Sequence, residues 1–134
     1  MREVGFYGCP YEEKQPFILM IKRDQKEKNL VVKPVLKKLK FYKELTGNII
    51  WYQRLVAEDD IHCPAGTPDI VAVVNCETYI VLLFIECKRP GVNNLSYTQK
   101  KFFESMKGKI KTMCVMLNDP KKLSDVIKKA KEMK

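Results

Sequence analysis

Two acids and a lysine stand at the ends of two strongly apolar stretches. Asp69 follows Gly66-Thr67-Pro68 and opens Ile70-Val71-Ala72-Val73-Val74. Glu86, Cys87 and Lys88 close Ile80-Val81-Leu82-Leu83-Phe84-Ile85. Runs apolar at consecutive positions read as β-strands covered on both faces. If the hairpin between them closes around Asn75-Cys76-Glu77-Thr78, with Val74 opposite Tyr79, Asp69 lies opposite Phe84. Glu86 is then its diagonal neighbour on the same face, and alternation brings Lys88 to that face too. Diagonal Cβ atoms are ~7–8 Å apart, close enough for two carboxylates to converge on one cation. Oxygen ligands of this kind suit Mg²⁺ or Mn²⁺. The same residues also fit an Asp–Lys or Glu–Lys ion pair at the sheet edge. A slip of one residue in register would separate the two acids onto opposite faces.

The elements that must position these groups follow from the flanking pattern. Val32, Val35, Leu36, Leu39, Tyr42 and Leu45 recur at helical steps, and Gly47 is a natural stop. Pro34 suits the first turn of a helix starting near Lys33 but would kink one starting near Gln25. Residues 48–57, rich in β-branched and aromatic side chains, read as a strand, with Trp51 in the core. Residues 58–67 form a loop. Strands are expected over 69–74, 79–88 and 109–117. Ser96-Tyr97-Thr98-Gln99 is a capping box opening a helix whose apolar face is Phe102, Phe103 and Met106. Asn118-Asp119-Pro120 opens a last helix with an inner stripe of Leu123, Val126, Ile127, Ala130 and Met133. The order is helix, strand, strand, strand, helix, strand, helix. Residues 1–16 read as irregular, and Phe17-Ile18-Leu19-Met20-Ile21 as an edge strand or a helix flank.

The chain has 134 residues, 46% of them apolar, which is enough for one domain with a true core. We read residues 25–134 as that core and 1–24 as an N-terminal extension. The 25 basic and 16 acidic residues give a net charge of +9, which favours polyanionic partners. A solvated basic surface gives the same count. No apolar run spans a bilayer, no signal peptide is visible and no basic aromatic amphipathic helix suggests a membrane surface. The five cysteines form no CxxC, which disfavours a disulfide scaffold or a zinc knuckle and fits an intracellular protein with reduced thiols. His62, the sole histidine, and Glu58-Asp59-Asp60 read as loop residues. Arg89, Lys100 and Lys101 are plausible phosphate contacts or part of a solvated face.

Pro68-Asp69 followed by Glu86-x-Lys88 resembles the signature of the PD-(D/E)xK nucleases. The element order resembles the α-β-β-β-α-β core of that restriction-endonuclease-like fold, an α/β arrangement with a mixed sheet flanked by helices. The longer set, Gly66-Thr67-Pro68-Asp69-Ile70, Glu86-Cys87-Lys88-Arg89-Pro90-Gly91, Leu95-Ser96 and Gln99, is similar to the virus-type replication-repair nuclease (VRR-NUC) module, a neighbour of archaeal Holliday-junction resolvases. The likeness runs over roughly residues 27–132.

The resemblance implies Mg²⁺-dependent hydrolysis of DNA phosphodiesters, with Mn²⁺ as a substitute. Asp69, Glu86 and the backbone carbonyl of Cys87 would hold the metal. Lys88 would orient a water and offset transition-state charge. The family's further acid on the first helix corresponds best to Glu27, since Glu44 lies at the wrong end. Gln99 would stand near the phosphate, a role compatible with its capping box. The iron–sulfur relatives of the fold need a cysteine cluster, which is not visible here. The expected protein is a structure-selective endonuclease of replication, repair or recombination, acting on branched or four-way DNA. Symmetric cutting of a junction would call for a homodimer. The alternatives are a nuclease fold that binds nucleic acid without cutting, and a basic protein–protein adaptor.

Overall fold

The computed structural model describes residues 27–55 and 64–133. The Phe17–Ile21 run, Glu58-Asp59-Asp60, His62, Cys9 and Cys63 lie outside the described residues. The described residues begin with a continuous helical stretch. A π-wound turn, Lys28–Val32, leads into helix α1, Lys33–Phe41, and a second π-wound turn, Tyr42–Thr46. Gly47 stops it in the left-handed conformation at φ 72°. Pro34 therefore neither starts the helical stretch nor breaks it. Proline has no N–H to donate, and just before it Lys33 N–H reaches back five residues to the Lys28 carbonyl. The wider turn accommodates the residue that would disrupt regular winding.

Four strands follow: β1 Ile49–Arg54, β2 Ile70–Asn75, β3 Ile80–Cys87 and β4 Thr112–Leu117. They lie side by side in chain order. β1, β2 and β3 are successively antiparallel, and β4 runs parallel to β3. The parallel pair requires a crossover, which α2, Tyr97–Met106, supplies. A 3₁₀ turn, Pro120–Lys122, then leads into α3, Leu123–Lys131. Asp119 accepts from Lys121 N–H and Pro120 takes the first helical position, as the sequence suggested. The last strand starts at Thr112 rather than Lys109, because residues 110–111 turn and Lys111 takes φ 58°.

One face of the sheet carries the core. Ile70, Ala72 and Val74 of β2, and Val81, Leu83, Ile85 and Cys87 of β3, are buried there. Val31, Val32, Val35 and Leu39 pack on them together with Leu123, Val126, Ile127 and Ala130. α1 and α3 thus cover this face, and α2 lies on the other, where Phe102 meets Phe84 edge-on at 5.3 Å. Coverage of that second face is incomplete. Ile80 and Leu82 are exposed, so the expectation of strands covered on both faces holds only where α2 lies. Trp51 shares this face and is half exposed, a correction to the core position expected for it. It sits on β1, the edge strand among the described residues, just past a bulge at Ile50.

Among the described residues no helix is long and apolar enough to cross a membrane. The core face sets the stability. Ile85→Ala should cost roughly 2–5 kcal/mol in urea unfolding. Ile110→Ala, at an exposed site, should stay within about 0.5 kcal/mol.

Candidate active site

The hairpin register differs from the expected one by two residues. Val74 pairs with Val81, Asn75 with Ile80 and Ile70 with Ile85. The turn is Cys76 to Tyr79, closed by Cys76 N–H to the Tyr79 carbonyl at 3.0 Å. Cys76 is buried, which draws the turn inward and lengthens the ladder. An even shift preserves the faces. Continued by one residue, it puts Asp69 directly across from Glu86 instead of diagonal to it. The two carboxyl groups are close enough to act on each other's titration. Asp69 Oδ2 also accepts from Cys87 N–H at 2.7 Å.

The site lies where β2 begins and β3 ends, on the α2 side of the sheet. Glu86 is only 5% exposed, and it is the one buried charged or polar residue among those described. Gln99 reaches it from α2, donating from Nε2 to Glu86 Oε2 at 2.8 Å. The same side chain closes the capping box: Ser96 N–H donates to Gln99 Oε1 at 2.8 Å, and Ser96 Oγ accepts from Gln99 N–H. Gln99 thus closes the capping box and contacts Glu86 with one side chain. Lys88 follows β3 immediately, and its charge acts on both acids. Glu27, at the start of the first helical stretch, adds its negative charge to Glu86 and Cys87. Glu44 is exposed at the other end of that stretch. The Cys87 thiol points into the core and is buried.

Gly66 explains how the loop before Asp69 meets α2. It takes φ +88°, and a Cβ there would lie 2.5 Å from the Thr98 carbonyl oxygen. Only glycine lets the segment carrying Asp69 touch the segment carrying Gln99. Thr67 braces the loop by donating from Oγ1 to the Pro64 carbonyl at 2.6 Å. Across the site, Asn118 Nδ2 donates to the Val92 carbonyl, tying the end of β4 to the loop after Arg89. Arg89 is half-buried in that loop, and Lys100 and Lys101 are exposed on α2.

Two contributors were not singled out in the sequence. Arg54 ends β1, and its positive charge lowers the pKa of Asp69. The other is the Gly66–Thr98 approach. Strand pairing carries the first: with Arg54 opposite Ile70, it stands one position from Asp69. No local pattern reveals the second.

Electrostatics set the protonation of the pair. Burial pushes both carboxyls up. For Glu86 the Asp69 charge adds to the rise, and Lys88 opposes it. Asp69 is held back by the Cys87 N–H, the Glu86 side chain, Lys88 and Arg54. The pair therefore holds on to a proton more tightly than two free carboxylic acids would. Two acids pressed together in a desolvated corner gain most from a cation that replaces that proton. Among the described residues no three His, Cys, Asp or Glu side chains form a ready-made metal cage. A hard divalent ion that keeps several waters still fits this donor set, since one or two carboxylates suffice for Mg²⁺. Comparison with family models and with curated proteins finds no match for the chain.

The proton on Glu86 is a cost that grows with pH. Its folded pKa exceeds its unfolded one, so the folded state binds more protons and stability falls as pH rises above the unfolded value. In chelator, Glu86→Gln should be more stable than the parent by on the order of 1 kcal/mol or more at pH 8. That gain should shrink towards pH 5. Thermal melts across pH check this; a gain independent of pH would contradict it. Gly66→Ala should cost roughly 1–3 kcal/mol in the same assay.

Proposed function

We propose that the protein is a metal-dependent DNA nuclease of the PD-(D/E)xK type, close to the VRR-NUC module. The observation that carries this reading is the contact between Asp69 and Glu86, with Gln99 on Glu86 and the Lys88 charge beside both. A structural ion pair needs one acid. Two acids side by side, both harder to ionise than free carboxylic acids, are arranged for a cation. The order of helix, three antiparallel strands, crossover helix and parallel strand supports the restriction-endonuclease-like core.

Asp69 and Glu86 would hold Mg²⁺, or Mn²⁺ in its place, together with the Cys87 carbonyl. The bound ion would supply Lewis-acid polarisation of a phosphodiester. Lys88 would orient the attacking water and offset charge developing on the phosphoryl oxygens. Gln99 would fix the rotamer of Glu86 through its 2.8 Å contact. Glu27 would add negative charge from the first helical stretch and deepen the preference for a cation. Arg89, Lys100 and Lys101 would contact flanking phosphates. Branched or four-way DNA is the substrate suggested by the resemblance, and a homodimer would cut it symmetrically.

Incubation with plasmid, single-stranded, flapped and four-way DNA tests the reading. Cutting should require Mg²⁺ or Mn²⁺ and stop in chelator. Asp69→Ala should abolish it, and Lys88→Ala should lower the rate by roughly 10²- to 10³-fold. Retention of DNA without cutting would favour a binding-only protein. Activity unchanged in Asp69→Ala would overturn the site. Binding should weaken with salt at a slope near ~0.9 per phosphate contacted.

A further inference from the structure

We infer that the open sheet face beside the acid pair binds an unpaired DNA strand, with Trp51 on the sheet and Tyr97 at the start of α2 as stacking platforms. This rests on the nuclease reading for the identity of the polymer, and it specifies the state of the strand at the site.

Sheet register supplies the layout. Trp51 pairs with Val73, and Val73 with Leu82. These side chains point to the same face as Val71, Phe84, Asp69 and Glu86. Trp51 therefore lies on the acid-pair face, one strand out from β2. Val73 stands four positions after Asp69, about 13 Å of extended chain. Tyr97 is the first residue of α2, two before the Gln99 that touches Glu86.

Both rings are open. Trp51 is 47% exposed and Tyr97 70% exposed. Trp51 shares its face with exposed Ile80 and Leu82, a contiguous apolar patch of the kind that marks a binding surface. The ammonium of Lys101 lies 5.1 Å from the centroid of Tyr97. Lys100 beside it is exposed. A flat ring with a cation at hand suits a nucleotide, whose base stacks while its phosphate meets the ammonium. Leu82 and Ile80 extend the apolar surface between the strands. Bases in a duplex are already stacked on each other and offer no face to these rings. An unpaired strand does, and it suits the protein's net charge of +9.

Trp51 is the sole tryptophan, so its fluorescence reports on this face directly. The Glu86→Gln protein in chelator would be titrated with a short oligothymidylate and with a blunt duplex of the same length. The single strand should quench Trp51, and the duplex should leave it largely unchanged. By anisotropy of a labelled oligothymidylate, Trp51→Ala and Tyr97→Ala should each weaken binding by roughly 5- to 100-fold. Trp51→Phe and Tyr97→Phe should keep most of the affinity, which separates stacking from misfolding. Equal quenching by duplex, or alanine variants that bind like their parent, would overturn the inference. Quenching without any cutting by the wild-type protein would sink the nuclease reading and leave the strand-binding face standing. Cutting without quenching would do the reverse.

Discussion

Two carboxyl groups placed side by side, each made harder to ionise by burial, are the constraint on which the site depends. Asp69 and Glu86 meet at the ends of strands whose other face is wholly apolar. Glu86 is buried and Asp69 half-buried, and burial raises the pKa of both, at a cost in stability once they ionise. Proteins retain such arrangements where the free energy is recovered on binding.

The rest of the fold reads as support for that contact. The core under α1 and α3 fixes β2 and β3 in register, and register decides which carboxyl meets which. The capping box gives α2 a rigid start and aims Gln99 at Glu86 with the same side chain. Gly66 lets the strand that carries Asp69 come against that start. Asn118 ties the end of β4 to the loop beyond Lys88 and Arg89. Each device acts on position within an ångström or so, the tolerance such chemistry requires.

Much of this was legible in the residues themselves. Consecutive apolar runs marked β2 and β3, helical spacing marked α1 and α3, and Ser96 with Gln99 marked the start of α2. The acids at the strand ends could be paired because side chains alternate with period two. What escaped was non-local. The hairpin register depended on Cys76 turning inward, which no turn residue signals. The two-residue error was harmless because its parity was even. Trp51 was misread as core because a lone aromatic on a strand does not reveal that the strand is an edge. Pro34 was ambiguous because local rules favour a helix start, whereas the packing of Val31 and Val32 rewards extending the helix past it. Arg54 and the approach of Gly66 to Thr98 arise only once the sheet and α2 are assembled.

The central claim is that Asp69 and Glu86 form a cradle for one divalent cation. Electron paramagnetic resonance of Mn²⁺ titrated into the protein tests it most directly, with Asp69→Asn as the comparison. A single bound ion per chain in the wild-type protein, lost in the variant, is the result the account requires. Identical Mn²⁺ binding in the two proteins, or none in the wild type, would contradict it.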